Sequence, residues 1–233
     1  MTDLRIPAPH THHLRVQRTA RYFTLGGESP ERRSIWFVLH GYGQLAGEFV
    51  RYFGDIATDE SLIVAPEALN RFYTVSVEKT PARDRPVGAT WMTREDRASD
   101  IADYVEYLDV LYDDVVGPSP KPNLSINVIG FSQGAATATR WITHTKRRLD
   151  RLILWGGLLP PETEVTGDRL RRSRLTLVVG SRDQYVNDAA LAGERARLDT
   201  AALPYDVIQY DGGHAINRTV FPQLLELTGA SGR

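Results

Sequence analysis

The sequence contains no cysteine. That single absence excludes a disulfide framework, a thiolate nucleophile and a thiolate-bound zinc. Net charge is nearly missing as well: 28 Lys and Arg face 29 Asp and Glu, a formal −1. No global field therefore draws the chain to nucleic acid or to an anionic membrane surface, and neither is expected as a partner. No apolar run approaches the roughly 18 residues of a membrane span, so stable membrane insertion is not expected. The first residues, MTDLRIPAPHTHHLRV, lack the apolar stretch of a secretory signal, and the expected location is cytoplasmic. There is no internal repeat, low-complexity tract or biased linker. The 233 residues, 42% of them hydrophobic, are expected to form one domain over 1–233.

What the chain does have is a series of short apolar runs. SIWFVLHG (34–41) is nearly unbroken, as a strand covered by helices on both faces should be. The pattern recurs in SLIVAPE (61–67), LSINVIGFS (124–132), RLILWGG (151–157), LTLVVGS (175–181) and YDVIQYDGG (205–213). Helical segments fall between them, at 45–58, 133–145, 186–200 and 215–228. The clearest runs from Arg94 to Gly117, where Ile101, Tyr104, Val105, Leu108, Leu111 and Val115 form one stripe. Alternating strands and helices predict an α/β fold, a mostly parallel, doubly wound sheet with helices on both faces. Ahead of it, HHLRVQRTARYFTLG reads as an antiparallel N-terminal hairpin turning near Arg18 to Ala20. Residues 71–92 fit neither element and are expected to be a long loop, with 78–87 a solvated excursion.

The strongest chemical signal is Gly130-Phe131-Ser132-Gln133-Gly134, between an apolar strand and an Ala-rich helix. A G-x-S-x-G in that context makes a sharp strand-to-helix turn that lifts the serine hydroxyl above the sheet edge. Such a nucleophile needs a base, and the base an orienting carboxylate. Of the two histidines after Ser132, His144 belongs to the same helix and would point away. His214 follows the last strand in Tyr-Asp-Gly-Gly-His, at the carboxyl edge where sites of open sheets assemble. Asp183, in Gly-Ser-Arg-Asp directly after a strand, is the preferred acid. Asp188 is better explained as a residue of the next helix's first turn, and Asp211 is too near His214 in sequence. The oxyanion donors are expected to be the backbone N–H groups of Gln133 and of Tyr42 in His40-Gly41-Tyr42-Gly43-Gln44. His40 reads as structural, holding that loop by hydrogen bonds.

HGYG (40–43), APE (65–67), GFSQGAA (130–136), GSRDQYV (180–186) and GGH (212–214) together resemble the phospholipase/carboxylesterase family of α/β-hydrolases. The resemblance implies the α/β-hydrolase fold and a serine carboxylesterase acting on small or medium acyl esters, without a cofactor or metal. A thioesterase or lysophospholipase using the same triad is the alternative, and a non-catalytic binding protein of this fold a more remote one. The family usually carries a Trp-Phe-Asp-like segment where this chain reads Ala89-Thr90-Trp91-Met92-Thr93-Arg94. By that correspondence Trp91 lines the acyl pocket; the other reading is a core residue. Leu158 and Leu159, just past a strand, are candidates for a hydrophobic lip. The implied partner is a small-molecule ester, and the sequence does not select between monomer and homodimer.

Three other features read as ordinary surface. His10, His12 and His13 have no acidic neighbour in sequence. The basic clusters Lys146-Arg147-Arg148 and Arg169 to Arg174 lack interleaved aromatics and read as solvated faces. The sequons at Asn123 and Asn217 matter only in a glycosylating compartment.

Overall fold

A computed structural model describes residues 9–75 and 81–229. Among the described residues nine strands form in chain order: β1 (Tyr22–Leu25), β2 (Ser34–Leu39), β3 (Ser61–Pro66), β4 (Asn70–Tyr73), β5 (Val87–Thr90), β6 (Ser125–Phe131), β7 (Arg151–Trp155), β8 (Arg174–Gly180) and β9 (Tyr205–Tyr210). Seven build one sheet in the order β1-β3-β2-β6-β7-β8-β9. All neighbours in it are parallel except β1, which runs antiparallel to β3 with Tyr22 opposite Pro66. The helices are α1 (Ala46–Phe49, continued by a 3-10 turn to Ile56), α2 (Arg97–Val116), α3 (Gln133–His144), α4 (Asp168–Arg171), α5 (Asp188–Thr200) and α6 (Phe221–Gly229).

Alternation along the central strands explains the two layers. Ile35, Phe37 and Leu39 of β2, Leu152 and Leu154 of β7, and Leu175 and Leu177 of β8 pack with Tyr104 and Leu108 of α2 and Trp141 of α3. The residues between them, Trp36, Val38, Ile153, Trp155 and Val178, face Phe49, Phe53, Phe221 and Leu224 on the other side. A sheet buried on both faces has apolar residues at both phases, hence the unbroken runs in the sequence. The stripe expected on α2 is the one that faces the core: Tyr104, Leu108 and Leu111 are buried there.

Two expectations change in detail. The antiparallel N-terminal element is one strand, β1, closing the sheet edge against β3; residues 9–21 form no strand. They are tied across the surface instead, with His13 on Asp96, Arg15 on Glu106 and Arg18 on Asn70. The segment 71–92 is not all loop: β4 and β5 pair as an antiparallel ribbon, Asn70 opposite Thr90 and Tyr73 opposite Val87. Residues 76–80 of the predicted loop, and with them the first three of the 78–87 excursion, lie outside the described residues. Each strand is only four residues long, and Pro81, Pro86 and the charges between them give the connection the composition of a loop. Among the described residues no helix is long and apolar enough to cross a membrane.

Candidate active site

Parallel strands carry their loops to the same edge, so the carboxyl ends of β2, β6, β7, β8 and β9 bring five sequence segments together. Ser132 stands between β6 and α3 with φ 54 and ψ −116. A non-glycine residue in that region is strained by about 1–3 kcal/mol and persists only where its surroundings hold it. Here its N–H donates to the Trp155 carbonyl at 2.9 Å and its carbonyl accepts from the Ala135 N–H at 2.9 Å. The flanking glycines are steric requirements. A Cβ on Gly130 would lie 2.2 Å from the Gly134 carbonyl oxygen, and one on Gly134 would lie 2.2 Å from that of Leu39.

Asp183 and His214 arrive from β8 and β9. The imidazole Nδ1 donates to Asp183 Oδ2 at 2.8 Å, leaving Nε2 as the acceptor nitrogen. The other carboxylate oxygen accepts from the N–H groups of Tyr185 (2.8 Å) and Val186 (3.1 Å). The Asp183 side chain is fully buried and that of His214 nearly so, so three hydrogen bonds replace the solvation the carboxylate has lost. The imidazole is tilted against the buried Phe131 ring at 4.9 Å and meets the exposed Tyr185 ring edge-on at 4.6 Å. Among the described residues no hydrogen bond joins the Ser132 hydroxyl to this pair. Nucleophile–base bonds are commonly long in unliganded enzymes and shorten around substrate.

The competing residues fall elsewhere. His144, at the end of α3, donates from Nδ1 to the Arg140 carbonyl at 2.7 Å. Asp188 opens α5 behind an Asn187 cap, and Asp211 pairs with Arg182.

The loop after β2 is tightly specified. Gly41 N–H donates to Gln44 Oε1 at 2.7 Å, Gln44 N–H to the Gly41 carbonyl at 3.3 Å, and Gly43 N–H to the Ala89 carbonyl at 2.9 Å. Among the described residues this leaves Tyr42 as the amide of the turn without a protein acceptor. Gln133, first residue of α3, likewise has no intrahelical acceptor. The turn adjoins the nucleophile, since a Cβ on Gly41 would come 3.2 Å from Ser132 Cβ. His40 lies beneath it, fully buried: Nδ1 donates to the Gly41 carbonyl at 2.8 Å and Nε2 accepts from the Ala68 N–H at 3.1 Å. Burial pushes its pKa below the usual imidazole value, despite the hydrogen bond to Gly41. A neutral imidazole with both nitrogens engaged is a brace for the loop.

The structure also shows groups that the motifs did not. The Gln133 side chain clamps α3 to the end of β5. Its Oε1 accepts from the Trp91 N–H at 3.0 Å and its Nε2 donates to the Met92 carbonyl at 2.9 Å. Gly156 (φ +57), just past β7, is the floor of the acid–base pair: a Cβ there would lie 3.0 Å from the His214 ring and 3.3 Å from Asp183 Oδ2. The signal was present in Trp155-Gly156-Gly157, read only as a strand end.

Trp91 is 2% exposed, packs on His40 at 5.2 Å and donates from its indole to the His40 carbonyl at 2.9 Å. It belongs to the core under the loop, not to an open pocket wall. Leu159 is buried in that core too, its N–H donating to Glu194 Oε1 at 3.2 Å; Leu158 is half-buried and packs against the same core. The strap they start is fixed by Arg197, which donates to the Pro160 (3.3 Å) and Thr163 (2.5 Å) carbonyls, and by Glu162, which pairs with Arg97 and Arg140. Partial burial pushes the Glu162 carboxyl upward, but hydrogen bonds from its own backbone, Arg140 and Arg97 outweigh it and hold the pKa at about 2.

A mostly parallel sheet in this order, with a serine on a strained strand-to-helix elbow and a His–Asp pair beside it, has the α/β-hydrolase fold. A model of the phospholipase/carboxylesterase family matches residues 22–228, and the chain belongs to that family; it is a carboxylic ester hydrolase. The comparison with curated proteins gives no match. Among solved structures, acyl-protein thioesterase 2 of Zea mays superposes with a TM-score of 0.66 at 16% identity, over 91% of this chain and 99% of its own. Esterase PE8 gives 0.63 at 18% identity, covering 91% and 99%. A carboxylesterase from Mesorhizobium loti gives 0.64 at 17% identity, covering 89% and 94%. At such identities the likeness is one of fold.

Proposed function

We propose that this protein is a single-domain, cytoplasmic serine carboxylesterase that hydrolyses small or medium acyl esters, with Ser132 as nucleophile, His214 as general base and Asp183 as its orienting acid. The observation that carries the reading is the 2.8 Å hydrogen bond from His214 Nδ1 to a fully buried carboxylate, at the sheet edge that also bears the Ser132 elbow. A base held in that tautomer presents Nε2 to a hydroxyl.

The Ser132 hydroxyl transfers its proton to His214 Nε2 as Oγ bonds to the ester carbonyl carbon. Negative charge moves to the carbonyl oxygen, where the N–H groups of Tyr42 and Gln133 receive it. A donor placed for that oxygen contributes about 3 kcal/mol in the transition state. As the tetrahedral intermediate collapses, the bond to the alcohol oxygen breaks and His214 returns the proton to it. Water then attacks the acyl-enzyme by the same route, its proton passing through His214, and releases the acid and Ser132. Bond making is balanced by bond breaking at each step, and the sequence needs no cofactor. In this reading Leu158, half-buried just past β7, is the residue that touches the acyl chain.

Hydrolysis of p-nitrophenyl esters from acetate to palmitate, by wild type and Ser132→Ala, tests this. The expected result is turnover that peaks at short or medium chains and disappears in the variant. Turnover that survives in Ser132→Ala would overturn the mechanism. Activity confined to acyl thioesters would keep the triad and replace the substrate class.

A further inference from the structure

Tyr185 is 68% exposed, an unusual position for a large aromatic ring that touches a buried acid–base pair. Its ring meets the His214 imidazole edge-on, 63° between planes and 4.6 Å between centroids. Its backbone N–H donates to Asp183 at 2.8 Å, on the same carboxylate that orients His214. The buried Phe131 ring also contacts the imidazole, tilted at 4.9 Å. Tyr185 is therefore anchored through its backbone, while its side chain presents an apolar, planar surface to solvent beside the base. Core packing does not account for that exposure, and the backbone hydrogen bond to Asp183 would be made by most residues.

We infer that Tyr185 is a specificity-determining residue for the alcohol part of the substrate, selecting esters whose leaving group is a planar, apolar alcohol such as a phenol or naphthol. This rests on the reading of His214 as the acid that protonates the leaving oxygen. That proton passes from Nε2, so the alcohol fragment must be alongside the imidazole when the bond breaks. A flat fragment there lies within reach of the Tyr185 ring, where offset or edge-to-face contact is favourable. A methyl or ethyl group offers too little surface to gain from it. Tyr42, 61% exposed and packed on Phe72 at 5.1 Å, belongs to the oxyanion side of the site and is not in this position.

The test is a ratio. The kcat/KM for 2-naphthyl butyrate is divided by that for methyl butyrate, in wild type, Tyr185→Phe and Tyr185→Ala. The acyl group is shared, and the intrinsic reactivity of each ester cancels when variants are compared. Tyr185→Phe should keep the ratio, and Tyr185→Ala should lower it about tenfold, the equivalent of one aromatic contact. An unchanged ratio in Tyr185→Ala overturns the inference. So does a parallel loss on both esters with a displaced pH profile, which would make Tyr185 a positioning residue for His214. Ser132→Ala and His214→Ala are run alongside: undiminished turnover in either would overturn the triad itself, whereas inactive triad variants with an unchanged ratio would overturn only the role of Tyr185.

Discussion

The two halves of the site are built differently. Ser132, Asp183 and His214 stand just past β6, β8 and β9; Ser132 and Asp183 are held chiefly by backbone groups of their own turn or of an adjoining strand end, and His214 by the Asp183 carboxylate. The walls around them, the β4–β5 ribbon and the strap after β7, are held by side chains from distant helices: Gln133 on Trp91 and Met92, Arg197 on Pro160 and Thr163, Arg140 and Arg97 on Glu162. The first half follows from sheet topology and short steric rules. The second depends on long-range hydrogen bonds, each replaceable by a different pair, and is where a family with one chemistry can vary its substrate.

If that division is right, substitutions in the strand-borne half should destroy turnover, and those in the walls should cost stability or selectivity first. The largest effect is expected from Asp183→Asn, which keeps the shape but loses the charge that fixes the tautomer; kcat should fall by about 10³–10⁴ with an unchanged circular dichroism spectrum. A loss below tenfold would remove Asp183 from the mechanism. Gly156→Ala comes next, because its Cβ would stand 3.0 Å from the imidazole on backbone at φ +57. Steady-state assays should show kcat reduced at least about tenfold, since 1.4 kcal/mol of strain or displacement suffices.

Gln133→Ala sharpens the contrast from the other side. It keeps the backbone N–H and removes the clamp between α3 and β5, so denaturant unfolding should show a loss of about 1–3 kcal/mol, with kcat reduced far less than in Asp183→Asn. Trp91→Phe removes the indole donor to His40 and should cost about 1 kcal/mol while leaving the acyl-chain profile in place. A displaced chain-length optimum would restore Trp91 to the pocket wall.

The smallest effect concerns Glu162, whose folded pKa, about 2, is below the ordinary 4.5. A depressed carboxyl pKa contributes stability that is full above the ordinary value and is lost as pH falls toward the folded one. The carboxylate is about half exposed, so solvent screening keeps the contribution under about 1 kcal/mol. Wild type and Glu162→Gln should differ by that little near neutrality and converge between pH 4.5 and 2 in thermal melts. A gap that widens on acidification would contradict the assignment.

The same division governs what could be read from the sequence. The parallel sheet was legible because burial on both faces leaves apolar runs without alternation, as in β2 and β7, and each catalytic candidate stands at the end of such a run. His40 was legible as a brace because a histidine between an apolar strand and a glycine turn has carbonyls close by. The β4–β5 ribbon was not legible: four-residue strands carry too few periods to register, and a connection with two prolines separates them. Likeness to relatives leaves Trp91 between pocket wall and core, because it says nothing of the bond from its indole to the His40 carbonyl. The basic clusters illustrate the same limit. Arg147 reaches Asp109 and Asp113, and Arg169 reaches the last carbonyls of α3, so these cations tie helices together as well as facing solvent.

The most direct test of the central claim is to trap the acyl-enzyme. The protein is mixed with p-nitrophenyl butyrate, quenched in acid within the first turnover, digested, and its peptides are weighed. The account predicts a butyryl mass increment on the peptide containing Ser132, absent from Ser132→Ala and strongly diminished in His214→Ala. An increment on any other residue, or steady hydrolysis with an unmodified Ser132 peptide at every quench time, would contradict it.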